Sequence, residues 1–305
     1  MKTIGIIILN YNGIKDTLSC LESVAKIKHD KFNLNLYIVD YSHDKNEAKT
    51  IKRKYLSVNL INQSGNLGFA KANNIGINKA LQEGADYILL LNNDTLVDLE
   101  FLSLLFNYCE ENPKVGAISP KIYFAKGCEF HKDRYQEKDL GKVIWYIGGK
   151  IDWNNMYCTH IGVDEVDHGQ FERDKETDFI SGCCTLIRKE TLDQTGLLNE
   201  KLFMYWEDTD WSLRAIKLGW DLRIYPKAYI WHKNAGSSSS GSNLQDYFLT
   251  RNRLWMGMKY ATLRTKLALI RQSLIQLASG RKWEKIGVKD FWLGKMGKGS
   301  WKNNK

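Results

Sequence analysis

The chain has 305 residues, 43% of them hydrophobic and 26% charged, which suits one large domain with an appendage or two modest domains and excludes global disorder. Its net charge of +9 is lopsided: residues 245–305 hold 14 Lys/Arg against 3 Asp/Glu and the rest 30 against 32, so a uniformly basic nucleic-acid binder is excluded and no nucleic-acid partner is expected. No apolar run reaches the roughly 18 residues of a spanning helix, and the run at 4–9 is too short for a secretory leader, so a cytoplasmic protein is expected.

Apolar runs at residues 4–9, 34–39, 58–61, 87–91 and 115–119 predict strands, the last closed by Pro120. Between them the spacing is helical. Leu18, Leu21 and Ala25 share one face, as do Ala72, Ile75 and Ala80, and likewise Leu102, Leu105, Phe106 and Cys109. Strands alternating with helices predict an α/β fold, a Rossmann-like, mostly parallel sheet with helices on both faces. No G-x-G-x-x-G follows the first run, which counts against a dinucleotide dehydrogenase. Residues 126–142 read as loop, and 143–153 and 178–188 as strands of a more irregular half. A helix is predicted from about Glu207 to Leu218, stopped by Gly219, then short strands near 221–225 and 228–231. A Gly/Ser-rich stretch at 234–243 reads as a flexible loop able to close over a ligand. The expected organisation is one domain over 1–244, in two halves (1–120 and 121–244), followed by a basic, aromatic, helical extension over 245–305. Six cysteines without a C-x-x-C pair are expected to be reduced thiols, neither a disulfide framework nor a zinc site.

In an open parallel sheet, ligands bind beyond the carboxyl ends of the strands. Four polar sets fall there: Asn10-Tyr11-Asn12, Asp40, Asn66-Leu67-Gly68-Phe69 and Asn92-Asn93-Asp94. Taken singly, each is an ordinary turn or cap; together on one edge they outline a pocket. Asp94 can ligate a divalent cation that neutralises a diphosphate, or it can cap the helix beginning near Asp98. Glu207-Asp208-Thr209-Asp210 opens a helix whose dipole favours carboxylates. The preceding Phe203-Met204-Tyr205-Trp206 gives those carboxylates a sugar-sized aromatic setting in which one can act as general base. Asp210 and Arg214 form a routine helix pair. His232, at a strand end before the Gly/Ser stretch, is a structural histidine or a metal ligand.

In combination and order these segments resemble the family 2 glycosyltransferases, of GT-A fold, within their rhamnosyltransferase-like branch. The resemblance covers roughly residues 3 to 255. Its remaining matches are Asn73-Asn74-Ile75-Gly76, Ser181-Gly182-Cys183, Pro226-Lys227-Ala228, Trp231-His232 and Thr250-Arg251-Asn252-Arg253. It implies a nucleotide-sugar donor, dTDP- or UDP-linked, with Asn10, Tyr11, Asn12, Asp40, Asn66, Gly68, Asn92 and Asn93 around the nucleotide. It implies Mn²⁺ or Mg²⁺ on Asp94 and His232, Asp208 as the base with Glu207 beside it, and Trp206 and Gly182 on the acceptor side. The acceptor would be a glycan or lipid-linked glycan. One departure stands out: where the family usually reads D-N-x-S-x-D, this chain has Asp40-Tyr41-Ser42-His43-Asp44, so Tyr41 either stacks on a base or packs inside.

A sugar-phosphate nucleotidyltransferase is the nearest rival, but residues 10–13 offer no basic, Gly-rich phosphate loop; an inactive nucleotide-sugar-binding module is the other. In the extension, Leu263, Leu267, Ile270, Leu274 and Leu277 recur at helical spacing among Arg264, Lys266 and Arg271. Such a helix either lies on an anionic membrane surface, making the protein peripheral, or packs on its own domain or a second copy.

Overall fold

The structure, a computed structural model, describes residues 1–233 and 241–302. Most of the 234–243 loop expectation lies outside the described residues. The first half runs β1 (Thr3–Asn10), α1 (Ile14–Val24), β2 (Asn33–Asp40), α2 (Lys45–Lys54), β3 (Asn59–Asn62), α3 (Phe69–Gln82) and β4 (Tyr87–Leu91). Strands β1–β4 are parallel, in the order β3-β2-β1-β4. The chain therefore reverses direction across the sheet between β1 and β4, where a crevice opens at their carboxyl ends. Both strands are covered on both faces, which is why they read as unbroken apolar runs.

The second half adds β5 (Thr95–Val97), α4 (Phe101–Glu111), β6 (Val115–Phe124), β7 (Ile144–Tyr146), β8 (Gly149–Asp152), β9 (Tyr157–His160), β10 (Lys175–Glu176), β11 (Cys184–Arg188), α5 (Lys189–Thr195), α6 (Glu207–Lys217) and β12 (Asp221–His232). Antiparallel β11 lies between β4 and β6, and β12 runs parallel to β6. Residues of α1, α2 and α4 form one core with the sheet; those of α3, α5 and α6 form a second on the opposite face. Gly76 lets α3 close on the sheet, since a Cβ there would meet Ile7 at 2.4 Å and Val39 at 3.2 Å. Three helices follow, α7 (Asn243–Tyr260), α8 (Leu263–Ser279) and α9 (Lys282–Trp292). In α7, Leu254 and Met256 share a core with Leu202 and Trp206, while Tyr247 and Phe248 pack with Phe203.

Five local expectations need correction. The strand predicted to stop at Pro120 continues to Phe124, because β12 bulges opposite it: Tyr225 pairs with Pro120 and Tyr229 with Lys121. Proline has no N–H to give the ladder, and Pro226 sits inside that bulge. For the same reason the two strands at 221–225 and 228–231 are one strand. The run 143–153 is broken into β7 and β8 by Gly148, at φ 118°. Of 178–188 only 184–188 is strand. The buried face of α1 is Thr17, Cys20, Leu21 and Val24, one position off the predicted face, with Ala25 exposed. Thr17 turns inward because its hydroxyl donates to Asn10 Oδ1 at 2.6 Å.

Candidate active site

The loops after β1 and β2 are tied together by side-chain hydrogen bonds. Asn10 is fully buried; its Nδ2 donates to Asp40 Oδ1 (2.6 Å), Ser42 Oγ (3.0 Å) and Glu47 Oε2 (2.9 Å). Ser42 Oγ donates to Asp40 Oδ1 and accepts from the Asn12 amide, and Asn12 Oδ1 accepts from the His43 amide. Asp40 is itself buried, so Asn10 acts on the pocket by fixing Asp40. Tyr41 is buried and its ring is stacked on Tyr11 at 4.9 Å, so the residue that departs from the family pattern packs inside. Asn66 Oδ1 accepts from the Gly68 amide, closing a turn before α3. Gly68 has φ 75°, and a Cβ would meet Phe203 at 2.5 Å, so glycine is required by both backbone and space.

At the end of β4, Asn93 Nδ2 donates to Thr17 Oγ1, joining this turn to Asn10 through one threonine. Asp94 lies in the turn into β5, and α4 begins only at Phe101 with Glu100 as its cap. The capping alternative for Asp94 is thereby removed. Instead, pairing of β12 with β5 sets His232 opposite Thr95, and His232 Nε2 lies 3.0 Å from Asp94 Oδ1. The Nδ1 of His232 is buried without a hydrogen-bond partner among the described residues. Trp145 stands edge-on to both His232 (4.5 Å) and the half-buried His160 (4.6 Å). Burial, aided by the nearby His232, pushes the His160 imidazole down to about 4.

The opposite wall is the turn entering α6. Phe203, Tyr205 and Trp206 all have positive φ, at 67°, 65° and 75°. For bulky residues this conformation costs about 1–3 kcal/mol each, so something must hold it. Asn252 Nδ2 donates to the carbonyls of Leu202, Met204 and Tyr205, all at 2.9 Å, and Arg251 Nη2 donates to Leu202 O at 3.1 Å. Arg251 is fully buried, and its Nη1 also donates to Gly297 O at 2.7 Å. From the other side Asn74 bonds Leu198 and Glu200. Farther along α6, buried Asp210 accepts from Arg214, Lys259 and Tyr260, fastening the helix to the end of α7.

This bend delivers two carboxyls in different states. Asp208 is partly open to solvent; its Oδ2 accepts from the Gly182 amide (3.0 Å) and its Oδ1 from the Thr209 amide (2.6 Å). Burial raises its pKa, and those amides pull it part of the way back. Glu207 is buried, its Oε2 has no partner among the described residues, and burial reinforced by Asp208 holds its pKa well above the usual carboxylate range. Asp208 is thus partly within reach of solvent, and Glu207 is not. Trp206 is likewise buried, in the core shared with α7, so it supports the turn from beneath.

The walls meet at Gly182-Cys183. The Gly182 amide serves Asp208, and the next residue's carbonyl accepts from the Asn92 amide at 2.8 Å, two residues before Asp94. Ser42, Glu47, Thr17 and the Arg251-Asn252 clamp are the members that residue-by-residue reading missed. Arg251-Asn252 appeared in a family-like segment, but nothing in the sequence announces a strained turn at 203–206, which contains no glycine.

Comparison with known proteins gives the family and the fold. The sequence model of a family described as glycosyltransferase like family 2 matches residues 2–257. A dTDP-rhamnosyl transferase, RfbF of Shigella flexneri, is 27% identical over 234 residues, 74% of this chain and 67% of that protein. An N-acetylglucosaminyl-diphospho-decaprenol L-rhamnosyltransferase of Mycobacterium tuberculosis is 25% identical over 61% of this chain and 62% of its own length. The chain thus spans 67% and 62% of the length of these two relatives. The crystal structure of GalNAc-T7 with UDP, GalNAc and Mn²⁺ superposes with a TM-score of 0.62 over 95% of this chain and 57% of that one, at 15% identity, and so shares the GT-A fold.

Proposed function

The chain belongs to the family 2 glycosyltransferases, and from that premise we propose that it moves a sugar from a nucleotide-sugar to a hydroxyl of a glycan or lipid-linked glycan, with inversion, in cell-surface polysaccharide synthesis. The donor is a dTDP- or UDP-linked sugar, and the rhamnosyl transferases among the relatives favour rhamnose. The reaction is assigned to the cytoplasm; no helix among the described residues is long and apolar enough to cross a membrane. The observation that carries the reading is Gly182-Cys183, bonded on one side to Asp208 and on the other to the turn bearing Asp94.

Asp208 takes the proton of the acceptor hydroxyl while that oxygen forms its bond to the anomeric carbon. The bond from that carbon to the diphosphate breaks, and its electron pair leaves with the nucleoside diphosphate. A pKa raised by burial makes Asp208 a stronger base than a surface aspartate, and the Gly182 and Thr209 amides fix the direction of its lone pairs. Asp40, held by Asn10 and Ser42, lines the nucleotide side. Asp94 and His232 fit a divalent cation as a carboxylate and an imidazole already facing one another. No group of three such ligands occurs among the described residues, so donor phosphate oxygens would complete the shell, and the imidazole favours Mn²⁺ over Mg²⁺. Such a cation supplies positive charge against the departing diphosphate.

Product analysis tests the reading. With Mn²⁺, a dTDP- or UDP-sugar and a hydroxyl acceptor, the expected product is nucleoside diphosphate. Release of pyrophosphate would identify a nucleotidyltransferase, and nucleotide binding without turnover of any donor would identify an inactive module.

A further inference from the structure

Helix α8 is packed inside out. Its stripe Leu263, Leu267, Ile270, Leu274 and Leu277 recurs every three or four residues and therefore lies on one face. The residues turned inward are Thr265, Leu269 and Ser273, of which only Leu269 is a large apolar side chain. Leu263 is 73% exposed, Leu267 60% and Leu274 59%, with Ile275, Trp292 and Leu293 also exposed beside them. The alternative in which the leucine stripe packs on its own domain is thus removed. Ile270, Leu274 and Leu277 form, with Trp292 at the end of α9 and the following Leu293, an open groove of about 410 Å³ with Lys289 at its rim.

Two tryptophans mark the ends of this face. Trp153, in the turn between β8 and β9, is exposed, and its carbonyl accepts from Thr265 Oγ1 at 3.1 Å, near the start of α8. Trp292 donates from Nε1 to Ser273 Oγ at 3.2 Å, toward the other end. Amphipathic rings of this kind settle at the headgroup level of a bilayer. Charge selects the partner. Helix α8 carries Arg264, Lys266 and Arg271 and no acid, and Lys282, Lys289, Lys295, Lys298 and Lys302 are exposed beyond it. The acids of the region are engaged: Asp246 and Glu284 with Arg281, and Asp290 with Tyr247 and Ser300. A second copy using the same face would set cation against cation, and a nucleic acid would leave the leucines in water.

We propose that the α8–α9 face, with Trp153 of the β8–β9 turn, docks the protein on an anionic lipid bilayer, the leucines at the boundary between headgroups and acyl chains and the tryptophans and cations at the headgroup level. The turn that carries Trp153 belongs to the hairpin whose Cys158 Sγ lies 3.9 Å from Thr209 Oγ1, next to Asp208. Docking therefore holds the catalytic turn near the surface on which a lipid-linked acceptor sits. That consequence rests on the proposed transfer; the docking itself does not.

The test is sedimentation of the full chain with vesicles of phosphatidylcholine, with and without phosphatidylglycerol. Binding is expected only with phosphatidylglycerol, and raised salt should weaken it. The Leu267→Glu/Leu274→Glu double variant should bind at least about tenfold more weakly. Because both positions are exposed, its melting temperature and its Mn²⁺-dependent nucleotide binding should match the parent, which separates loss of docking from loss of the active site. Arg264→Glu/Arg271→Glu should show the same loss with the leucines intact. Equal sedimentation of parent and both variants would overturn the proposal. So would a concentration-dependent dimer in light scattering that the leucine variant dissolves, since the face would then be a contact between copies.

Discussion

At the carboxyl ends of β1 and β2, polar groups are satisfied by neighbours on the same edge. Asn10 bonds Asp40, Ser42, Glu47 and Thr17, and Thr17 bonds Asn93. Around Asp208 the arrangement is the reverse. The turn is bent at Phe203, Tyr205 and Trp206 into a conformation those residues disfavour, and it is held from outside by side chains 47 to 50 residues further along. The proposed nucleotide side carries its own supports, whereas the proposed base depends on α7. Damage to α7 should therefore remove catalysis while leaving nucleotide binding in place, whereas damage at Asp94 or His232, where β5 pairs with β12, should remove nucleotide binding and turnover with it.

The largest effect is expected from Asp94→Ala. It removes the carboxylate that faces His232 Nε2, so Mn²⁺-dependent binding of nucleoside diphosphate should disappear while the melting temperature changes little. Retained binding, measured by calorimetry with Mn²⁺ present, would remove Asp94 from the ligand role. Next comes Asn252→Ala, which strips one donor from three carbonyls and should cost about 3 kcal/mol of stability. Donor affinity should persist and kcat should fall more than KM changes. Asn252→Asp should be no better than alanine, because the carbonyls need a donor. If Asn252→Ala weakened nucleotide binding as much as turnover, the two walls would not be independent.

A smaller, pH-dependent effect separates the two carboxyls. The folded-state pKa of Glu207 lies above its unfolded value, so the folded chain retains a proton that the unfolded chain gives up. Stability from this group is full below the ordinary glutamate pKa and is lost as pH rises toward the folded value. Glu207→Gln should therefore be equal to the parent in stability near pH 4 and progressively more stable above it. The gain is about 1.4 kcal/mol for each pH unit over which Glu207 stays protonated. Urea unfolding at several pH values would check this, and a difference that does not vary with pH would show that Glu207 is not buried as an acid.

The contrast also explains what the sequence disclosed. Strands β1 and β4 and the buried face of α4 were legible because burial on both faces writes continuous apolar runs, and a one-sided helix writes a 3.6-residue period. Asn10, Asp40 and Asn92-Asn93-Asp94 were legible as polar residues at strand ends. Pro120 misled, since a proline inside a strand is accommodated only by a bulge in the neighbouring strand, which is a property of the pair. The strained turn was illegible: Phe203, Tyr205 and Trp206 read as apolar packing, and their support comes from Arg251 and Asn252 through contacts that no local pattern encodes. In α8 the periodicity was correct, yet which way the stripe faced depended on Thr265 and Ser273 finding partners inside.

The central claim is that Asp208, oriented by the Gly182 amide, takes the acceptor's proton. Asp208→Asn keeps the shape of the side chain and removes its basicity. Single-turnover transfer by this variant, measured alongside donor binding under the same Mn²⁺ conditions, tests the claim most directly. Donor affinity within a few-fold of the parent and a transfer rate lowered by at least ~10²-fold are predicted. A transfer rate close to the parent's, with donor equally bound, would contradict the assignment.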